Sequence, residues 1–203
     1  MEAPTPLLDP RARRTRKLLL EAALALAAER DFSGITIRDI TELVEVNRTT
    51  FYLHFQDKDD LITQALDMLF DEFTSLDRAF EAVHYRPSPT SVPPPIIMIF
   101  RNVGLRPELY RRLLDVSGSA AFSIRLGEYY EEIYVRNWDR RGVTTIPGSP
   151  PPDLRARIAS TCVLGLIRWW LASGLTESVE TMASWQWEET RHLWFDQIVE
   201  SGS

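Results

Sequence analysis

The chain has 203 residues, 44% of them apolar, and a net charge of −6 from 23 basic and 29 acidic side chains. This is enough apolar material for one sizeable core plus a small satellite domain and too much for a disordered chain, while the acidic balance argues against a protein that coats nucleic acid over its whole surface. The lone Cys162 rules out a disulfide framework or thiolate metal site, and neither a signal-peptide run nor the roughly 18 uninterrupted apolar residues of a membrane span is present, so a cytoplasmic protein without membrane, metal or cofactor is expected.

Apolar residues recur at helical spacing along nearly the whole sequence, and no segment of strand length alternates, so the predicted class is all-α. A basic cluster, Arg11, Arg13, Arg14, Arg16 and Lys17, opens the chain. Residues 1–60 nevertheless hold nine basic against eleven acidic side chains, so contact with DNA must use a local basic arm. The stripe Leu19, Ala22, Ala23, Leu26, Ala27 predicts a first helix over about Thr15 to Arg30, broken by Asp31-Phe32-Ser33-Gly34.

Thr36-Ile37-Arg38-Asp39 has the form of a capping box, which places a second helix from Ile37 with Ile40, Leu43 and Val44 inward. Asn47 is the next good N-cap, so a third helix begins at Arg48 after a tight turn, and the pair makes a helix-turn-helix. On the wheel of this third helix Phe51 and Phe55 project together as anchors. They leave Asn47, Arg48, Thr49, Thr50, Tyr52 and His54 to face a partner, and short polar groups at a helix N-terminus suit the base edges and phosphates of a DNA major groove.

Asp57 caps a long fourth helix with the stripe Ile62, Ala65, Leu66, Leu69, Phe73, Leu76, Phe80, and Lys58 in its first turn can reach a DNA backbone beside the third helix. About 25 residues at 1.5 Å each span roughly 38 Å, enough to join two domains rigidly. The proline-rich segment Arg86 to Pro95 cannot be helical. Helices are predicted over about Ile96 to Val103, Pro107 to Val116 and Ala120 to Arg141, followed by a second proline-rich loop, Gly142 to Pro152.

The helix predicted over about Asp153 to Ala172 is apolar all round in its second half, and so must be covered on two sides. Leu154, Ile158, Cys162, Gly165 and Trp169 lie on one side; Val163, Leu164, Ile167, Trp170 and Leu171 lie on the other. The second cover is expected to be another subunit, over an interface of Val163, Ile167, Trp170, Leu171 and, from a last helix beginning after Ser178, Trp187, Trp194 and Ile198.

Thr36-Ile37-Arg38-Asp39-Ile40, Val46-Asn47-Arg48 and above all TFYLHFQDKDDL, Thr50 to Leu61, resemble the DNA-binding domain of tetracycline-repressor-type (TetR/AcrR) regulators, over roughly residues 12 to 62. The resemblance implies a homodimer whose second and third helices read the groove of a near-palindromic operator, with Thr36 and Arg38 joining the third-helix residues, Phe51 and Phe55 structural, and Tyr52, His54 and Lys58 on phosphate. Two departures stand out: Glu45 occupies a turn position where the family usually has Gly, and Thr49 one where a small residue is common. LGLIRWWLASGL, Leu164 to Leu175, is similar to the C-terminal domain of a subset of these regulators, in which the last two helices of each subunit form a four-helix dimer interface.

Residues 1–62 are thus expected to form the DNA-binding unit and residues 63–203 a dimerisation and effector-binding unit, in a repressor released from its operator by a small molecule. The candidate lining is aromatic, from Phe100, Tyr110, Phe122, Tyr129, Tyr130, Tyr134, Trp138 and Trp169, and favours an apolar or aromatic effector. Arg168 is the one candidate anion anchor on an otherwise apolar helix. An enzyme is not expected, since His54, His84 and His192 are scattered and no triad, metal or phosphate-loop spacing exists. The alternative is a helical protein-interaction module that has lost DNA binding, which the acidic total and Glu45 would suit.

Overall fold

The computed structural model describes the backbone of residues 9–81, 90–139 and 150–193, and the side chains of residues 9–69, 90–136 and 150–193. Nine α-helices occupy these stretches, and the fold is all-α: N-terminal helices form a helix-turn-helix region joined to a larger C-terminal helical domain. Helix α1 (Pro10–Glu29) begins five residues before the predicted start, because the Asp9 side chain accepts from the Arg11 amide and Pro10 suits the first helical position. The basic cluster therefore sits on an ordered helix rather than on a loose arm.

A 3-10 turn (Phe32–Gly34) leads to α2 (Ile37–Leu43) and α3 (Arg48–Tyr52), the two short helices expected from their caps. Helix α4 (Lys58–Glu81) follows, capped by Asp57, whose carboxylate accepts from the Asp60 amide at 2.8 Å. Beyond it come α5 (Pro94–Leu105), α6 (Pro107–Leu114), α7 (Ala120–Asp139), α8 (Pro152–Ala172) and α9 (Val179–Thr190). Of the loop expected at Arg86 to Pro95, residues 86–89 lie outside the described residues and Pro94 and Pro95 instead open α5, where proline suits the first turn; of that at Gly142 to Pro152, residues 142–149 lie outside them. Among the described residues no helix is long and apolar enough to cross a membrane.

One continuous core runs from Leu19, Phe32, Phe51 and Leu61 at the N-terminal end through Phe100, Tyr110 and Phe122 to Ile167 and Trp187. Helix α1 packs on both α4 and α6, α8 packs on α7, and α9 on α5. Arg125 of α7 reaches Asp67 of α4 with an ion pair of 2.8 Å, and Arg112 of α6 reaches Asp31 beside the turn after α1 at 3.3 Å. These ion pairs tie α6 and α7 to the N-terminal helices.

The residues predicted for a subunit interface on α8 and α9 face the interior of their own chain wherever they are described. Val163, Ile167, Trp170 and Leu171 are buried inside their own chain, as is Trp187 of α9. Trp170 packs edge-on against Phe100 with centroids 5.9 Å apart, and its indole N–H donates to the Glu177 carbonyl. The exposed face is the opposite one, with Leu154, Ile158 and Trp169 on α8 and Trp185 on α9, the two indoles meeting edge-to-face at 5.9 Å. The face that packs inward carries a fully buried Arg155 and Ser160 as well as its apolar residues, so hydropathy alone marks neither side as internal. Trp194 and Ile198 lie outside the described residues.

Candidate nucleic-acid interface

The N-terminal caps set the geometry of the site. The Thr36 amide donates to Asp39 Oδ2 at 2.8 Å while the Asp39 amide donates to Thr36 Oγ1 at 3.2 Å, a reciprocal capping box that starts α2. Helix α2 ends in a Schellman motif: the Glu45 amide donates to the Glu42 carbonyl at 3.2 Å and the Val46 amide to the Thr41 carbonyl at 3.0 Å. This motif needs a left-handed residue, and Glu45 supplies it with φ of 56°. The turn thus keeps the shape a glycine would give it, at the steric cost of a Cβ. Glu45→Gly is expected to raise the unfolding free energy by about 0.5–1 kcal/mol, the relief of left-handed strain less the extra freedom of an unfolded glycine. Urea titration checks this, and an unchanged midpoint would show that the turn holds Glu45 without strain.

Asn47 caps α3 by accepting from both the amide and the hydroxyl of Thr50, at 2.8 and 2.9 Å. Phe51 and Phe55 are buried with ring centroids 5.6 Å apart, and pin the helix as predicted. Arg16 of α1 lies over the Phe55 ring, 5.6 Å from its centroid, and also bonds to Gln64 of α4. With the aromatic side held, Asn47, Arg48, Thr49 and Tyr52 stand exposed on the other, Tyr52 at 52%. Among the described residues the side chains of Arg48 and Thr49 make no hydrogen bond, so their donors are available.

The other predicted contacts are more engaged. The hydroxyls of Thr36 and Thr50 donate into their own caps and keep only lone pairs to offer. Arg38 is exposed but paired along α2 with Glu42 at 2.6 Å. Burial, and then the charge of Arg16, lower the pKa of His54, so at neutral pH it presents an uncharged ring with one N–H.

Lys58 does not reach outward as expected. Its ammonium donates to the carbonyls of Phe32, Ser33 and Ile35 at 2.8, 3.4 and 2.9 Å and lies 4.5 Å from the Phe32 ring centroid. It clamps the start of α4 to the turn before α2, whose carbonyls converge on the ammonium. Leu53, absent from the predicted contacts, is 78% exposed at the end of α3 beside Tyr52. Its place on the helix wheel, away from the two phenyl rings, was the available signal; such an apolar side chain suits a thymine methyl.

The aromatic set of the C-terminal domain divides. Phe100, Tyr110, Phe122, Tyr130 and Tyr134 are fully buried and Tyr129 partly so, with Tyr110 edge-on to Phe122 at 5.9 Å. Burial holds the Tyr110, Tyr130 and Tyr134 phenols above their usual pKa, so they stay neutral. Trp169 is not among them: it is 49% exposed on the outer face of α8. The side chain of Trp138 lies outside the described residues. Among the described residues no group of three or more His, Cys, Asp or Glu side chains could hold a metal ion.

Residues 19–65 match the family described as bacterial regulatory proteins, tetR family. The chain is 45% identical over 56 residues to an uncharacterized HTH-type transcriptional regulator of Bacillus subtilis, a stretch covering 27% of this chain and 15% of that protein. It is 37% identical over 71 residues to the HTH-type transcriptional regulator TtgR of Pseudomonas putida, 35% of this chain and 34% of the relative. The matched stretch therefore spans about a third or less of these curated relatives. Over the whole fold, a TetR transcriptional regulator from Streptococcus agalactiae superposes with a TM-score of 0.62 at 20% identity, covering 89% of this chain and 95% of the other. The sequence matches concentrate on the helix-turn-helix and support DNA-binding transcriptional regulation at the level of the tetR family; the structural likeness extends the fold to the C-terminal domain.

Proposed function

We propose that this chain is a helix-turn-helix transcriptional regulator of the TetR/AcrR type, a homodimer that binds a near-palindromic operator and is released from it by a small apolar or aromatic effector. The observation that carries the DNA reading is the open flank of α3: Arg48 and Thr49 unengaged and Tyr52 half exposed, on a helix clamped from behind by Phe51 and Phe55. Residues 1–62 read the DNA, and residues 63–203 supply the dimer contact and the effector site. Two copies of α3 must then lie one helical turn of DNA apart, about 34–36 Å. Trp169 and its neighbours on the outer face of α8 provide the dimer surface, as in the subset of the family with a tryptophan-bearing dimer helix. Among the described residues, no heavy atom outside the local helix backbone lies within 4 Å of where a Cβ of Gly165 on that face would stand, so close approach there is open to a partner's helix.

Enrichment of random duplexes on the purified protein is expected to return a near-palindrome, bound with an affinity that falls steeply as salt rises. Arg48→Ala and Tyr52→Ala are each expected to weaken binding to that sequence by about tenfold or more, with the melting temperature nearly unchanged. No enriched sequence, or variants that bind as the parent does, would refute the reading.

The effector site is proposed among Phe100, Tyr110, Phe122, Tyr129 and Tyr130. A neutral aromatic lining suits an uncharged ligand, and the ion pairs from α6 and α7 to the N-terminal helices give its binding a route to α3.

A further inference from the structure

A cleft of about 400 Å³ opens between the C-terminal ends of α6 and α8, away from the recognition helix and from the buried aromatic set. Its volume lies within the range of about 300–1,000 Å³ typical of small-molecule sites. Two guanidinium groups line it, Arg111 from α6 and Arg168 from α8. Arg111 is fixed: its Nε points at the Leu171 carbonyl at 3.4 Å, and its Nη1 bonds to Glu108. Arg168 is exposed and, among the described residues, has no hydrogen-bond or ion-pair partner. It therefore keeps all five of its donors on a helix whose neighbouring positions are apolar. Leu114 and Leu171, both nearly buried, form an apolar floor beside the two arginines, and the fully exposed Val116 stands at the rim.

We propose that this cleft binds a small monocarboxylate with a short apolar body, Arg168 gripping the carboxylate in the forked geometry of a guanidinium and the tail lying on the apolar floor of Leu114 and Leu171. The class follows from the lining. A neutral apolar molecule would leave Arg168 unanswered, while the ionised Asp115 opposes every anion in proportion to its charge and so disfavours phosphate more than a single carboxylate. That carboxylate is held ionised, chiefly by the Ser117 hydroxyl 3.0 Å away and by backbone amides. The site is separate from the recognition surface and from the proposed aromatic effector site, so it stands or falls independently of the DNA reading.

Calorimetry on the full chain without DNA tests it, with hexanoate as the probe and 1-hexanol and inorganic phosphate as comparisons. Hexanoate is expected to bind with a Kd of about 1 mM or tighter, in keeping with a ligand of its size. 1-Hexanol and phosphate are each expected to bind at least about tenfold more weakly. Arg168→Gln is expected to reduce hexanoate affinity about tenfold, to leave 1-hexanol binding and the melting temperature unchanged, and to be partly rescued by Arg168→Lys. Equal binding of hexanoate and 1-hexanol, or an unaffected Arg168→Gln variant, would overturn the proposal. So would loss of the dimer on Arg168→Gln by sedimentation, since the guanidinium would then belong to a subunit contact.

Discussion

Phe51→Ala is expected to lower the unfolding free energy by about 3–5 kcal/mol, enough to unfold the N-terminal helices at physiological temperature. The ring has no solvent exposure, packs at 5.6 Å against Phe55 and edge-on against Tyr52 at 5.4 Å, and is the main inward side chain of a five-residue helix. So short a helix has almost no stability of its own, and its position depends on that ring. Urea unfolding followed by far-ultraviolet circular dichroism measures the loss, and Phe51→Leu, which keeps most of the volume, should cost far less. A Phe51→Ala protein as stable as the parent would mean that the caps of Asn47 and Asp57 alone hold α3, and the account of how its polar flank is presented would have to be rebuilt.

The second large effect is on assembly. Trp169→Glu is expected to convert the proposed dimers to monomers, with a loss of at least about 100-fold in dimer affinity, the scale of a tryptophan hot spot replaced by a charge that its partner would bury. Because Trp169 is half exposed in the single chain, the monomer should keep its fold. Trp170→Glu makes the contrast: it would place a carboxylate against Phe100 in the core, and unfolding rather than clean dissociation is the expected outcome. Light scattering with circular dichroism separates the two. Intact Trp169→Glu dimers would remove α8 from the subunit interface.

The helix-turn-helix end was far more legible in the sequence than the outer face of α8. Caps are local chemistry: Thr36 with Asp39, and Asn47 with Thr50, act over three residues, so α2 and α3 begin where their side chains require. The phenyl pair follows from helical spacing in the same way. Lys58 failed this logic because its partners, the carbonyls near Phe32, lie more than twenty residues away, and no local pattern announces that an ammonium will be consumed there. Glu45 stood out as a departure where the family usually has Gly, and the surrounding hydrogen bonds hold it at the φ of 56° that a glycine would adopt with ease.

What the sequence determined by itself was the all-α class, the starts of α2, α3 and α4 and the residues that anchor the third helix, since each depends on interactions within a turn or two of chain. Only the tertiary structure decided which side of α8 faces inward. That helix is apolar on both sides, and the choice was made by α7 and the neighbouring helices, which cover Val163, Ile167 and Trp170 and leave Trp169 open. Burial is a property of neighbours brought together by the fold, and a helix with two apolar faces carries no local mark of which one they will cover.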